Sequence, residues 1–179
     1  MAMQFSKTLT LAAISGASLL LFSACGSKSK RQLADDQTLH WVETADLPTM
    51  DPSKSTDVVS GGALNNVDEG LLRIGQGSKL RPGIAKSYHV SKDGKTWTFN
   101  LRHSKWSNGA PVTATDFVYG WRRTVKPSTA AQFAYLYNHV KNYDAVNKGK
   151  KAPSQLGVEA HGKYQLVVTL SRPQSSFKY

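Results

Sequence analysis

The chain has 179 residues, 23 lysines and arginines against 12 aspartates and glutamates, a formal net charge of +11 and one cysteine. A single cysteine excludes an internal disulfide framework, and the length suits one core or a domain with part of another. The charge is uneven, because residues 25–70 carry −4 and residues 71–179 carry +14. The bases are scattered along the sequence rather than clustered on one helix, which is typical of a solvated surface rather than of a nucleic-acid site.

The chain begins with a leader that ends at the cysteine. Residues 1–24 contain one charge, Lys7, followed by an apolar and small-residue run over residues 9–24. This layout is typical of a secretory signal, and the run is shorter than the roughly 20 residues of a membrane span. We therefore predict an exported protein.

Residues 21–25, LFSAC, resemble a bacterial lipobox, in which the cysteine is acylated at the cleavage site. Phe22 stands where that motif usually has leucine. We expect a lipoprotein signal peptide over residues 1–24 and a lipid anchor, palmitate included, on Cys25. A plain signal peptide or short anchor with an incidental cysteine is the alternative. For an exported lipoprotein, an anionic membrane or the cell wall is the expected partner of the positive charge.

A tether and an extended region follow the leader. Residues 25–37 are polar without an apolar period and predict a flexible spacer. Residues 38–43, TLHWVE, have strand character, and residues 47–60 contain two prolines and predict an extended loop with turns. Residues 61–72 have apolar positions at spacings of three and four, which predicts a short helix.

The clearest predicted element is a hairpin with a helix behind it. Residues 87–90 and 96–102 flank a turn at Asp93-Gly94, and apolar and polar residues alternate in the second strand. Thr113 or Thr115 can then cap a helix that Pro127 ends.

Two further elements complete the prediction. Residues 130–146 have apolar residues at helical spacing and predict a second helix, with Phe133 on its apolar side. Residues 157–170 predict another hairpin that turns at His161-Gly162. The expected fold is mixed α+β, with antiparallel hairpins and two helices.

The sequence offers no catalytic constellation. Its five histidines are far apart and show no metal-ligand spacing. It contains no nucleophile elbow or phosphate loop, and Gly75-x-Gly77 predicts only a turn. We predict neither an enzyme nor a resident metal or cofactor.

Several motifs resemble one family in the expected order along residues 38–179. They are Met50-Asp51-Pro52, Asp68-Glu69-Gly70-Leu71-Leu72, Pro82-Gly83-Ile84-Ala85, Asp93-Gly94-Lys95, TWTFNLR at 96–102, KWSNGAPVTA at 105–114, Asp116-Phe117-Val118-Tyr119 and Leu156-Gly157-Val158. The chain resembles the family 5 solute-binding proteins of ABC transporters, the oligopeptide- and dipeptide-binding lipoproteins. Residues 101–106 are one residue shorter than the usual form and lack its acid, which predicts a shortened turn.

The resemblance implies an α/β, bilobed, class II periplasmic-binding-protein fold that closes on a peptide. In such members the peptide is added as a strand, so that affinity comes through its backbone. By position, Thr56, Asp57 and Val58 match the strand that pairs with the peptide, and Phe133 falls where a ligand-contacting tyrosine can stand. A solvated loop acid at Asp57 and a helix core residue at Phe133 are the alternatives.

The resemblance also implies partners and boundaries. We expect a peptide ligand, ABC permease subunits and a membrane reached through Cys25 at the outer face of the bacterial cytoplasmic membrane, with a monomeric protein and no nucleic acid. Residues 38–74 would begin lobe 1 and residues 75–170 would form a small subdomain. Because family members are several times longer, we expect the C-terminal lobe to be missing and the chain alone to have little or no affinity for peptide.

Two alternatives to an oligopeptide receptor stay open at this stage. The first keeps the family and changes the ligand to a dipeptide, a metal chelate, a signalling peptide or an oligosaccharide. The second is a basic surface lipoprotein that binds wall polymer or a host molecule without transport. Salt-sensitive surface binding would favour the second alternative.

Overall fold

In a computed structural model, the described residues are Thr38 and residues 40–179. The chain divides into one unit at Met1–Val42 and a second at Glu43–Tyr179, which contains every helix and strand described below. The predicted signal peptide, Cys25 and the spacer over residues 25–37 lie outside the described residues.

The second unit has three α-helices and six strands among its described residues. In chain order these are α1 (Val58–Val67), β1 (Leu72–Ile74), β2 (Leu80–Pro82), β3 (Ala85–Val90), β4 (Thr96–Leu101), α2 (Ala114–Val125), α3 (Tyr143–Asn147), β5 (Val158–Ala160) and β6 (Gln165–Thr169). Single 3₁₀ turns lie at Gln76–Ser78, Pro127–Thr129, Gln132–Tyr137, Pro153–Gln155 and Ser175–Lys178. No helix among residues 38 and 40–179 is long and apolar enough to cross a membrane.

The strands form two antiparallel sheets. Strands β1 and β2 pair as a small ribbon, and the larger sheet has the order β3-β4-β6-β5. The β3–β4 hairpin is the predicted one, and Gly94 turns it with φ of +69°, a conformation that glycine adopts without steric cost. The β5–β6 hairpin at residues 158–169 is also confirmed.

The core lies between the larger sheet and α2. Strand β4 alternates as predicted, because Trp97, Phe99 and Leu101 are buried while the residues between them are partly exposed. Across the sheet, Trp97 pairs with Val168 and Phe99 pairs with Leu166. Val118 and Val125 of α2, together with Val158 of β5, complete this cluster.

Helix α2 begins where the sequence predicts. Thr113 and Asp116 form a capping box, in which the Asp116 carboxylate accepts a hydrogen bond from the Thr113 amide at 2.7 Å. The box satisfies amide groups that a helix end otherwise leaves without partners. The helix ends before Pro127, which cannot continue it.

Three predicted elements differ in the structure. Residues 130–146 do not form one helix: the chain makes a 3₁₀ turn at Gln132–Tyr137, and α3 follows. Residues 139–141 between them bond instead to β6 and its flanks, with the Lys141 amide donating to the Thr169 carbonyl at 2.8 Å. Asn142 then adopts left-handed backbone geometry, which interrupts any helix.

The other two differences lie near the start of the described chain. The helix predicted at residues 61–72 is shifted to Val58–Val67, because Asp57 caps it earlier and Leu72 joins β1. Residues 38 and 40–43 form no strand, and Trp41 and Val42 are exposed. β-propensity stabilises a strand mainly through packing against its neighbours, so exposed side chains gain little from that conformation.

Gly157 provides a test of close packing beside the sheet. A Cβ at this position would lie 2.7 Å from the Thr169 carbonyl oxygen and 2.8 Å from Lys141 Cβ. Hydrogen bonds to both neighbours hold the Gly157 backbone in place. We expect Gly157→Ala to lower the free energy of unfolding by about 1–3 kcal/mol, measured by urea denaturation.

The matched control is Gly120→Ala within α2, where no atom lies within 4 Å of the added Cβ. This change is expected to stabilise the protein by about 0.5–1 kcal/mol, because alanine favours the helix interior. Equal effects of the two substitutions would contradict the packing described at Gly157.

Candidate functional site

The loop that precedes α1, residues 49–57, is organised around Asp51 and is called here the anchoring loop. The Asp51 carboxylate accepts a hydrogen bond from the Ser53 amide at 3.0 Å, and the Asp51 carbonyl accepts two more from Lys54 and Ser55. These bonds fold the Asp51-Pro52 sequence into a tight turn.

An ion pair attaches the anchoring loop to α2. Arg123 donates two parallel hydrogen bonds to Asp51, at 2.8 Å and 2.6 Å. Planar bidentate pairs of this kind have defined geometry as well as strength. The hydrogen bonds from Arg123 hold the pKa of the Asp51 carboxyl below its usual value and raise the pKa of Arg123.

Asp57 ends the anchoring loop as the N-cap of α1. Its carboxylate accepts a hydrogen bond from the Ser60 amide at 2.8 Å, and this bond lowers the pKa of Asp57. The residue is therefore neither part of a strand nor a purely solvated acid, because its carboxylate caps a helix. Thr56 and Val58 are exposed, Val58 by 85%.

Thr56, Asp57 and Val58 do not form the strand that the resemblance implies. Thr56 and Asp57 stand in the loop, and Val58 is the first residue of α1. The cap at Asp57 fixes this geometry, since it closes the first turn of the helix. Thr56, at the end of the anchoring loop, and Val58, at the start of α1, are nevertheless exposed.

Phe133 lies in the 3₁₀ turn at Gln132–Tyr137, called here the aromatic turn. Its ring is 42% exposed and contacts Tyr135 edge to face at 6.0 Å between ring centroids. The alternative of a helix core residue is therefore wrong, because the aromatic turn is not an α-helix and its buried residue is Ala134. Leu136 and Tyr135 extend the exposed apolar surface around Phe133.

The aromatic turn is also attached to α2. The Tyr137 ring packs edge to face on Trp121 at 5.2 Å between centroids. Burial raises the pKa of Tyr137, and a side-chain hydrogen bond with Thr124 partly opposes that effect.

Thr124 connects the two segments. Its hydroxyl donates to the Gly120 carbonyl at 2.9 Å and so can accept from the Ser53 hydroxyl, 2.8 Å away. The anchoring loop and the aromatic turn thus meet the same two turns of α2. The sequence analysis did not predict a role for Arg123 or Thr124. The available signals were an arginine that follows the apolar residues of a helix and an Asp-Pro turn.

Among residues 38 and 40–179 there is no group of three or more histidine, cysteine or acidic side chains that could hold a metal ion. The anchoring loop and the aromatic turn contain a capped helix end, an ion pair and exposed aromatic rings. Such a surface offers main-chain hydrogen bonds and apolar contacts to a ligand.

Comparison with known proteins identifies a family. Residues 79–179 match the bacterial extracellular solute-binding proteins, family 5, in the middle region of that family. The chain is 43% identical over 145 residues to the periplasmic oligopeptide-binding protein OppA of Haemophilus influenzae, covering 79% of this chain and 27% of the relative. It is 35% identical over 178 residues to a dipeptide-binding protein of Lactococcus lactis, covering 99% and 32%.

Solved structures give the same fold. The Haemophilus influenzae OppA complex with the peptide RPPGFSPFR matches with a TM-score of 0.70 and 44% identity, over 72% of this chain and 26% of that one. An oligopeptide ABC transporter substrate-binding domain from Bacillus anthracis matches with a TM-score of 0.77 and 44% identity, over 81% and 28%.

The matched family consists of transport binding proteins, not of enzymes. The chain belongs to the family 5 bacterial extracellular solute-binding proteins, as its motifs predict. Its mixed α/β fold corresponds to part of their bilobed architecture. The chain spans about a quarter to a third of the length of the curated relatives it matches.

The Asp51–Arg123 pair predicts an acid-dependent loss of stability. Because the folded-state pKa of Asp51 is lowered, its contribution is present above the unfolded value of about 3.9 and is lost as pH falls through the folded value. We expect Asp51→Asn to lower Tm at pH 7, and we expect its difference from wild type to shrink below about pH 4. Thermal melts followed by circular dichroism would measure this.

The control for that experiment is Asp46→Asn, which changes an exposed acid in the same region by the same charge. Its Tm should follow wild type across the pH range. A difference between Asp51→Asn and wild type that does not change with pH would contradict a role for the ionised pair.

The hydroxyl of Thr124 provides a second test. Thr124→Val keeps the shape but leaves the Ser53 hydroxyl and the Gly120 carbonyl without this partner, which should cost about 1 kcal/mol in urea unfolding. Amide hydrogen exchange should accelerate in the anchoring loop and the aromatic turn together. The control is Thr124→Ser, which retains the hydroxyl and should keep exchange slow in both segments. Faster exchange in only one segment of Thr124→Val would contradict the connection of the two segments through Thr124.

Proposed function

We propose that this chain forms the peptide-contacting N-terminal part of the solute-binding lipoprotein of an ABC importer. The observation that carries the proposal is its 43–44% identity to a protein named for oligopeptide binding and solved with a bound nine-residue peptide. Delivery would go to permease subunits, and the protein would act as a monomer. In this proposal, residues 38–74 begin lobe 1 and residues 75–170 form a small subdomain.

The anchoring loop would provide main-chain contacts. Thr56 and Val58 are exposed, so solvent reaches these positions, whereas the Ser60 amide is already bonded to Asp57. An extended peptide can therefore align its backbone with residues 56–58 even though they form no strand in the described structure. Backbone pairing is common to all peptides, so it gives affinity with little sequence preference.

The aromatic turn would provide an apolar contact. Phe133 has no hydroxyl, so its contribution to a peptide would be ring packing rather than a hydrogen bond. Exposed neighbours Tyr135 and Leu136 widen this surface. Its attachment to α2 through Tyr137 would keep it at a fixed distance from the anchoring loop, and closure of a second lobe would enclose the ligand.

The location follows from the leader. We propose that residues 1–24 are a lipoprotein signal peptide, that Cys25 carries the lipid anchor and that residues 25–37 are the tether. The protein would then be held at the outer face of the bacterial cytoplasmic membrane. Mass spectrometry of the membrane fraction would test this, because Cys25→Ser should abolish the lipid adduct.

The decisive experiment uses a chimera. Residues 43–179 would replace the matching region of Haemophilus influenzae OppA, and calorimetry would measure binding of RPPGFSPFR. We expect the chimera to retain affinity within about tenfold of the parent, since main-chain contacts are insensitive to local sequence. Phe133→Ala should lower affinity by roughly fivefold to tenfold, because an aromatic contact contributes about 1 kcal/mol.

Tyr119→Ala is the matched control, since Tyr119 is an exposed aromatic residue of α2 outside both segments. A folded chimera without binding, or equal losses from the two alanine variants, would contradict the proposed contacts. Dipeptides should be tested in the same chimera, because one relative is named for dipeptide binding and another for oligopeptide binding. The 179-residue chain alone is expected to show no saturable heat; saturable binding would place a sufficient site within it.

A further inference from the structure

A groove of about 580 Å³ lies along one side of α2, and one of its lining residues, Arg123, also pairs with Asp51 of the anchoring loop. It is bounded by the helix, the turn at Pro127–Thr129 and the turn at Pro153–Gln155. Its lining includes Arg122, Arg123, Lys126, Ser128 and Tyr119, and none of its lining residues is acidic. The groove therefore presents positive charge and hydroxyl groups together.

Two of its cations have no carboxylate partner among the described residues. Arg123 is neutralised by Asp51. Arg122 instead donates to the carbonyl oxygens of Ser154 and Val158, at 3.0 Å and 3.1 Å, so its charge is held in place but not cancelled. Lys126 is exposed at the end of the helix.

A neighbouring loop brings three more lysines to this place. Gly149 adopts φ of +69° and lies beside Pro127, since an added Cβ would be in ordinary contact with the proline ring at 3.8 Å. The amides of Lys150 and Lys151 both donate to the Ala145 carbonyl, which fixes the loop against α3. Lys148, Lys150 and Lys151 are all exposed.

The result is a basic surface, defined here as Arg122, Lys126, Lys148, Lys150 and Lys151. Residues 122–155 contain seven lysines and arginines against one acid, Asp144. In the sequence these bases are spread over thirty residues. The fold brings the loop at residues 148–151 beside Pro127, next to the groove that Arg122 and Lys126 line.

We propose that the basic surface docks on the phosphate headgroups of an anionic membrane. Clustered lysines and arginines attract phosphate-bearing surfaces, and Ser128 and Tyr119 offer hydroxyl donors beside them. The family is extracellular, which removes nucleic acid from consideration. The proposed anchor at Cys25 would hold the domain close to that surface. The inference goes beyond peptide binding and does not depend on it.

The test measures partition of the full chain, carrying Cys25→Ser to prevent acylation, onto two kinds of vesicle. One is phosphatidylcholine, and the other is an equal mixture with phosphatidylglycerol. We take the ratio of the partition coefficient on the phosphatidylglycerol mixture to that on phosphatidylcholine. Because the apolar leader contributes to both coefficients, this ratio reports the charge-dependent part of vesicle binding. We expect the ratio to fall steeply with salt, and to fall by up to roughly a hundredfold in Lys148→Gln/Lys150→Gln/Lys151→Gln.

The matched control is Lys79→Gln/Lys86→Gln/Lys92→Gln, which removes three exposed lysines from the strands and turns of residues 79–92. Its ratio should change far less, and circular dichroism should show that both variants are folded. Equal losses in the two variants would mean that only net charge matters, and would overturn the proposal. Two competition results would also overturn the proposal. Displacement of the protein from vesicles by millimolar inorganic phosphate would assign the surface to a free anion. Displacement by a soluble glycerol-phosphate polymer, at a lower phosphate concentration than that of the headgroups, would assign it to wall polymer.

Discussion

The burial of α2 against the larger sheet is the contact on which the rest of the structure depends. Val118 and Val125 pack on β5 and β6, and each buried apolar side chain of this size contributes about 1.5–3 kcal/mol. The helix in turn carries the ion pair to Asp51, the ring contact with Tyr137 and the hydroxyl of Thr124. A loss of helix packing would therefore release the candidate site as well as the core.

The elements predicted correctly are those whose signals are local. The β3–β4 hairpin needs only an alternating strand and a glycine that accepts positive φ, and both lie within residues 87–102. Helix α2 needs a capping residue at its start, Thr113, and a proline after its end, Pro127. The family motifs predicted the fold class because they contain these local turn and cap residues in the same order.

The elements predicted wrongly depend on partners distant in sequence. Residues 139–141 have helical spacing, but their backbone groups bond to Thr169 and Gly157, and these bonds replace a helix with a bridge beside β6. The candidate site shows the same limit. Asp57 and Phe133 were predicted from their positions in the family pattern alone, and the cap at Asp57 was not predicted. The contact at Thr124 could not be predicted from sequence spacing, because Ser53 and Thr124 are 71 residues apart.

The geometry of α2 also makes its two proposed roles compatible. Successive helix residues are separated by about 100°, so Arg122 and Thr124 point to nearly opposite sides, while Lys126 lies close to the Arg122 side. Arg123 stands between them, with its charge already cancelled by Asp51. A domain docked on a membrane through the basic surface would keep the Thr124 side of α2 turned away from the lipid. The anchoring loop, whose Ser53 hydroxyl bonds to Thr124 on that side, would then stay open to a peptide arriving from solution.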